Sequence, residues 1–227
     1  MIFVQMNIKL WENVLDAINT AGAYAQGYTG KGVILGICDF PINFNNLEFR
    51  EKNNSGMLNE ANNGIYNWQI LSHGTAVAGV VAANKNNQGM HGVAFDANIQ
   101  GVTNADEYEN DGLDFLIREN FWEEFLDRQD IKIINNSWGA DNYLSNVNNR
   151  EEYEKFYDYI SAYSAYNQIK KIVNKDKLLI FSAGNDGHTM PSVENVLPIW
   201  DNSLSNNIIN VTASNASFFK KKMIFLK

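Results

Sequence analysis

The 227-residue chain is 45% hydrophobic, 12% aromatic and 19% charged, which excludes wholesale disorder and allows one domain-sized core. A formal net charge of -8 and a pI near 4.9, with no basic run before the last residues, speak against a nucleic-acid or anionic-membrane partner. Cys38 is the single cysteine, so no internal disulfide can form, and no apolar run is long enough to span a bilayer.

The start, MIFVQM, lacks the basic region, apolar core and cleavage site of a signal peptide. Residues 10–25 carry Trp11, Val14, Leu15 and Ile18 at helical spacing and predict one helix, closed by the turn glycines Gly27, Gly30 and Gly32. VILGIC over residues 33–38 is apolar without alternation, as in a strand buried on both faces of a parallel sheet, and it runs into Asp39. Residues 43–69 read as a long surface loop. SHGTAVAGVVAA over residues 72–83 reads as a helix headed by His73. Its small and β-branched apolar residues predict burial all round. A polar loop follows over 84–92, then a short strand over 98–102. Residues 111–128 place Leu113, Leu116, Ile117, Phe121, Phe125 and Leu126 as an amphipathic helix begun by acidic residues. A strand over 131–137 leads into Trp138-Gly139. Residues 150–174 read as a long charged helix with Tyr153, Phe156, Tyr157, Ile160, Tyr163 and Ile169 inward. Strands are expected over 178–183, ending in Gly184-Asn185-Asp186-Gly187, and over 208–213. Strands alternating with helices predict an α/β fold, a mostly parallel sheet with helices on both faces, and no internal repeat is visible.

Asp39, Ser137 and Asn185 all fall at or just past the ends of buried strands, where open α/β sheets place their ligand chemistry. A lone histidine in an apolar helix is most simply a satisfied core residue. Beside three polar strand ends it acquires a second reading. A carboxylate can orient an imidazole and stabilise its protonated form, the imidazole can deprotonate a serine, and a side-chain amide can donate to an oxyanion.

With these residues in this order the chain resembles the subtilisin-like serine peptidases. The matching segments are GVILGICD (32–39), SHGTAVAGVVAA (72–83), GVAFDANIQGV (92–102), INNSWG (134–139) and LLIFSAGNDG (178–187). The lead-in INTAGAYAQGYTGKGV is most like the bacterial autotransporter branch of that family. The resemblance implies a three-layer subtilisin-like fold and hydrolysis of peptide bonds in a polypeptide substrate. It also implies a secreted or cell-surface location. Asp39 becomes the orienting carboxylate, His73 the general base and acid, and Asn185 the oxyanion donor. Ser137, Trp138 and Gly139 become the edge that pairs with substrate backbone, and Ser182, Ala183 and Gly184 a wall of the specificity pocket. Read without the family, Trp138 is a core residue, Asn185 a turn residue and Asp39 a helix cap.

Two departures stand out. Phe40 and Pro41 occupy positions where the family has a small hydroxyl residue and a glycine, and proline removes a backbone N–H beside the carboxylate. The family's serine, in a Gly-Thr-Ser-Met-like turn, has no counterpart here. The resemblance covers residues 10–215, the first two-thirds of such a domain, and the tail 216–227 carries no family pattern. In subtilisin itself, the measured case, losing the serine alone lowers kcat by about 2 × 10⁶-fold, roughly 8 to 9 kcal/mol. A chain inert in isolation is therefore expected.

No cofactor is expected, with one minor exception. The loop 86–93 resembles one that in some members binds calcium through carbonyls and an Asn side chain, which would implicate Asn86, but a plain polar turn is the simpler reading. His91 and His188 read as surface residues. Two other functions compete: a non-catalytic remnant that only binds peptide at Ser137–Gly139, and a nucleotide-binding α/β domain. The latter needs a glycine-rich loop after the first strand, whereas Gly27, Gly30 and Gly32 precede it.

Overall fold

The apolar run after Gly32 forms β1 (Ile34–Asp39), an inner strand of a sheet in which its alternate residues reach two separate cores. The computed structural model describes residues 14–59, 68–103, 105–109, 114–117, 121–139, 151–152, 155, 164–184 and 193–212. β1 is joined by β2 (Gly56–Met57), β3 (Asn98–Thr103), β6 (Ile131–Asn136), β7 (Leu178–Ser182) and β8 (Ile208–Val211) in the order β2-β3-β1-β6-β7-β8. Every pairing in this sheet is parallel.

Both faces of the inner strands are covered, as a parallel sheet requires, while β8 is exposed along most of its length. On one face Ile37 and Ile99 pack under α2 (Trp68–Ala82), whose Ala78 and Ala82 are fully buried. On the other, Cys38, Ile134, Leu179 and Phe181 pack with Trp122, Phe125, Ile169, Ile172 and Leu197. These come from a 3₁₀ turn (Phe121–Phe125) and from α3 (Ser164–Val173) and α4 (Val193–Trp200).

Several local expectations give way. The single helix over 10–25 is broken, within the described residues, at Asn19, which takes a left-handed φ of 57°. A short helix, α1 (Thr20–Ala25), then starts again. Residues 43–69 include buried Phe49, buried Asn59 and the edge strand β2. The amphipathic helix over 111–128 is replaced by an antiparallel hairpin, β4 (Ala105–Glu109) with β5 (Asp114–Ile117), and the 3₁₀ turn. Asp111-Gly112 is a strong hairpin signal, and the contiguous Phe115-Leu116-Ile117 suits a strand better than a helix face. Of the helix over 150–174, α3 is its C-terminal part, with Ile169 fully buried; Tyr153, Phe156, Tyr157, Ile160 and Tyr163 lie outside the described residues.

Two lysines close the amino edge of the sheet. Lys177 Nζ donates to the carbonyls of Arg128 (2.6 Å) and Ile131 (2.7 Å), tying the start of β7 to the start of β6. Lys52 Nζ donates to those of Phe95 (2.9 Å) and Ala97 (2.6 Å), beside the start of β3. Burial pushes the pKa of both ammonium groups down.

Candidate active site

At the opposite, carboxyl edge, β1 ends in Asp39, whose side chain is only 2% exposed. Its Oδ1 accepts the backbone N–H of Phe40 at 2.7 Å and lies 2.6 Å from Nδ1 of His73. The His73 ring is 52% exposed. With Nδ1–H donating to the carboxylate, the lone pair of a neutral imidazole sits on Nε2, the arrangement a general base needs. The bond to Asp39 raises the pKa of His73 above its ordinary value, against a partial lowering by burial and with help from the carboxylate's charge.

His73 does not head its helix. α2 begins at Trp68, so the histidine is the sixth of its fifteen residues. Nor is the helix buried all round. Gly74, Ala78 and Ala82 face inward, while Ser72, His73, Ala76 and Val80 are exposed, so the imidazole stands on an open face. The chain after β1 is pressed against the inward face: a methyl group at Gly74 would overlap the carbonyl oxygen of Phe40. Two more contacts fix the same segment. Asn43 N–H donates to Thr75 Oγ1 at 2.9 Å, and the Phe40 ring meets the His73 ring edge-on, centroids 6.2 Å apart. Phe40 and Thr75 are thus part of the site's framework. Thr75 was visible in the His-Gly-Thr motif, whereas nothing in the sequence signalled the ring contact of Phe40.

The pairing register brings the other strand ends alongside. Cys38 is opposite Asn136, and Asn136 opposite Phe181, so Asp39, Ser137 and Ser182 each stand one residue beyond a shared row. Trp138 is a partly buried core residue here: its ring packs on Phe121, Trp122 and Phe181, and its Nε1–H donates to the Cys38 carbonyl at 2.9 Å. The indole therefore fixes the exit of β6 beneath the residue that precedes Asp39. Its carbonyl oxygen accepts from Ser182 Oγ at 3.3 Å, and Ser137 Oγ accepts from Asn135 Nδ2 at 2.9 Å. Gly139 is exposed, Ala183 N–H donates to the Val211 carbonyl, and Gly184 adopts a φ of 86° that favours glycine. Asn185 lies outside the described residues.

Asn86 is engaged locally. Its Oδ1 accepts from Gln88 N–H at 2.9 Å, an Asx turn, and its Nδ2 faces Glu48 at 3.5 Å. Calcium takes six to eight oxygens, and among the described residues no group of three acidic, histidine or cysteine side chains could hold a metal ion. The Asn86 side-chain oxygen is thus engaged in the turn. Within the described residues no helix is long and apolar enough to cross a membrane.

The chain is similar to known proteins in sequence and in fold. The family profile described as the Subtilase family, peptidase S8, matches residues 30–221. An extracellular serine protease of Serratia marcescens is 32% identical over 238 aligned positions, covering 87% of this chain and 21% of the relative. The Neisserial autotransporter lipoprotein NalP of Neisseria meningitidis serogroup B is 29% identical, covering 58% of this chain and 14% of its own. The crystal structure of the psychrophilic subtilisin-like protease Apa1 from the Antarctic Pseudoalteromonas sp. AS-11 superimposes with a TM-score of 0.55 at 20% identity. That match covers 84% of this chain and 39% of Apa1, and it speaks for the fold alone. The chain spans about a fifth of the length of the first curated relatives it matches. By family profile, by relatives and by fold, it belongs to the subtilase family of serine proteases.

Proposed function

We propose that the chain carries the carboxylate and imidazole of a subtilisin-type serine endopeptidase site, Asp39 orienting His73 and His73 acting as general base and acid. Asn185 is the oxyanion donor, Ser137–Gly139 the edge that pairs with extended substrate, and Ser182–Gly184 a pocket wall. The observation that carries this reading is the 2.6 Å pair formed by a buried carboxylate and an exposed imidazole at the carboxyl ends of parallel strands. The substrate is a polypeptide. The names of the Serratia and Neisseria relatives support a site of action outside the cell or on its surface.

Gly-Thr-Ser occurs nowhere in the 227 residues, so the chain on its own supplies a base without its nucleophile and hydrolyses nothing at a useful rate. A fluorophosphonate probe, which reacts with activated serines, tests this directly when paired with fluorescence measurements of extended-peptide binding. The expected result is no labelling together with peptide binding that a bulky substitution at Gly139 abolishes. Labelling at Ser214 or Ser217 would restore activity to the isolated chain and refute its inertness. Absence of both labelling and binding would refute the peptidase site.

A further inference from the structure

Asp39 has an asymmetric environment. Both of its hydrogen bonds, from His73 Nδ1–H and Phe40 N–H, end on Oδ1. Oδ2 is buried, and among the described residues no donor meets it. The next peptide nitrogen along the chain belongs to Pro41, which has no hydrogen to give. A buried carboxylate with one bare oxygen is costly unless an opposite charge offsets it, and the imidazolium is the partner within reach. A further donor to the carboxylate would draw off part of that charge and loosen its hold on the histidine proton.

We propose that Pro41 is a positioning residue which biases the Asp39–His73 pair toward the protonated imidazole by withholding a backbone donor from Asp39. This rests on the reading of His73 as the general base, but it concerns only the proton on that ring and is testable without turnover. The neighbouring groups leave the effect to Asp39. Ser72 and Thr75 flank the histidine and its glycine without charge. On the carboxylate's side, burial first and then the charge of Asp39 keep the Cys38 thiol protonated. The consequence for a peptidase is an alkaline displacement of the limb at which His73 becomes a base.

The test is an NMR titration of the C2 protons of the three histidines in the parent chain and in Pro41→Ala and Pro41→Gly, with His73 assigned through His73→Gln and folding checked by circular dichroism. Both Pro41 variants restore an N–H. The His73 midpoint is expected to fall by about 0.5 unit or more, ~3-fold in proton affinity, with His91 and His188 unmoved. Phe40→Leu keeps the amide that serves Oδ1 and should stay closer to the parent than either Pro41 variant. A His73 midpoint within about 0.2 unit of the parent in a folded Pro41 variant overturns the proposal. So does an equal shift in Phe40→Leu, which would move the cause from the missing donor to the ring contact, or a common drift of all three histidines. Because the readout is the ring's proton, failure here leaves the peptide-binding and probe-labelling results to stand or fall by themselves.

Discussion

The two edges of the sheet treat buried charge in opposite ways. At the amino edge Lys52 and Lys177, 9% and 0% exposed, each give two hydrogen bonds to backbone carbonyls, Lys177 joining the starts of β6 and β7 and Lys52 fixing the approach to β3. At the carboxyl edge Asp39 is as deeply buried, yet it satisfies one oxygen twice and the other not at all, and its partner stands half in solvent. The lysines are hydrogen-bonded to uncharged acceptors fixed in the backbone, with Asp96 and Asp130 acting on them only through charge. The carboxylate is held by a group that can gain or lose a proton. A buried charge closed by backbone is scaffold; one closed by a titrating side chain is where chemistry can happen.

If that distinction is sound, the scaffold end should show the largest loss on mutation. Lys177→Ala removes a buried stem and leaves the Arg128 and Ile131 carbonyls without this donor, and is expected to cost about 3–5 kcal/mol in urea unfolding. In the remaining folded protein the His73 titration should not move. A cost below about 1 kcal/mol would mean that water or another group serves those carbonyls and that the staple is incidental.

Gly74→Ala breaks the other edge. The added methyl meets a backbone oxygen rather than a flexible side chain, so either the helix or the Phe40-Pro41 segment must shift. About 1–3 kcal/mol is expected from overpacking. Unlike the lysine change, this one should carry the His73 midpoint back toward its ordinary value, because it separates the imidazole from Asp39.

The pH dependence sharpens the contrast further. His73 has a folded pKa above its unfolded value of about 6.5, so the stability it contributes is complete below that value and is lost as pH rises through the folded pKa. Lys52 has the reverse sign: its folded pKa is pushed below 10.5, so its cost to folding shrinks as pH climbs toward the unfolded value. Stability curves of the parent and His73→Gln should therefore converge as pH rises above about 6.5 and through the folded pKa, and curves lying parallel over that rise would show that the pair contributes nothing to folding.

How much of this could be read from residues alone follows the same division. Inner strands of a parallel sheet declare themselves by apolar runs, and Val33 to Cys38 and Leu178 to Phe181 are such runs, whereas Ile208-Ile209 opens an edge strand that is exposed on one side. The polar residues ending them, and His-Gly-Thr, were legible for the same reason: they interrupt a pattern. What the pattern could not carry was local competition. The stretch Asp114–Ile117 satisfies a helical period and a strand at once, and only pairing with Ala105–Glu109 decides for the strand. The helical turn over Trp68–Leu71 was missed although Asn67, a favoured capping residue type, stands directly before it, because the Asn- and Gly-rich stretch ahead of it reads as loop. Trp138 fits both a substrate edge and a core, and its bond to the Cys38 carbonyl, a hundred residues away in sequence, is tertiary information. The buried lysines look like any charged surface residue until their carbonyl partners are known.

The smallest effect isolates anchoring from tuning. Thr75→Val keeps the shape of the side chain and removes the hydroxyl oxygen that accepts Asn43 N–H, so it should cost about 0.5–1.5 kcal/mol. The bonds to Asp39 Oδ1 are untouched, so the His73 midpoint should stay with the parent while the melting temperature falls. If the midpoint falls with it, the segment after β1 owes its grip on the imidazole to the Asn43–Thr75 bond as much as to Asp39. The carboxyl edge would then be a scaffold of the same kind as the amino edge, with catalysis laid over it.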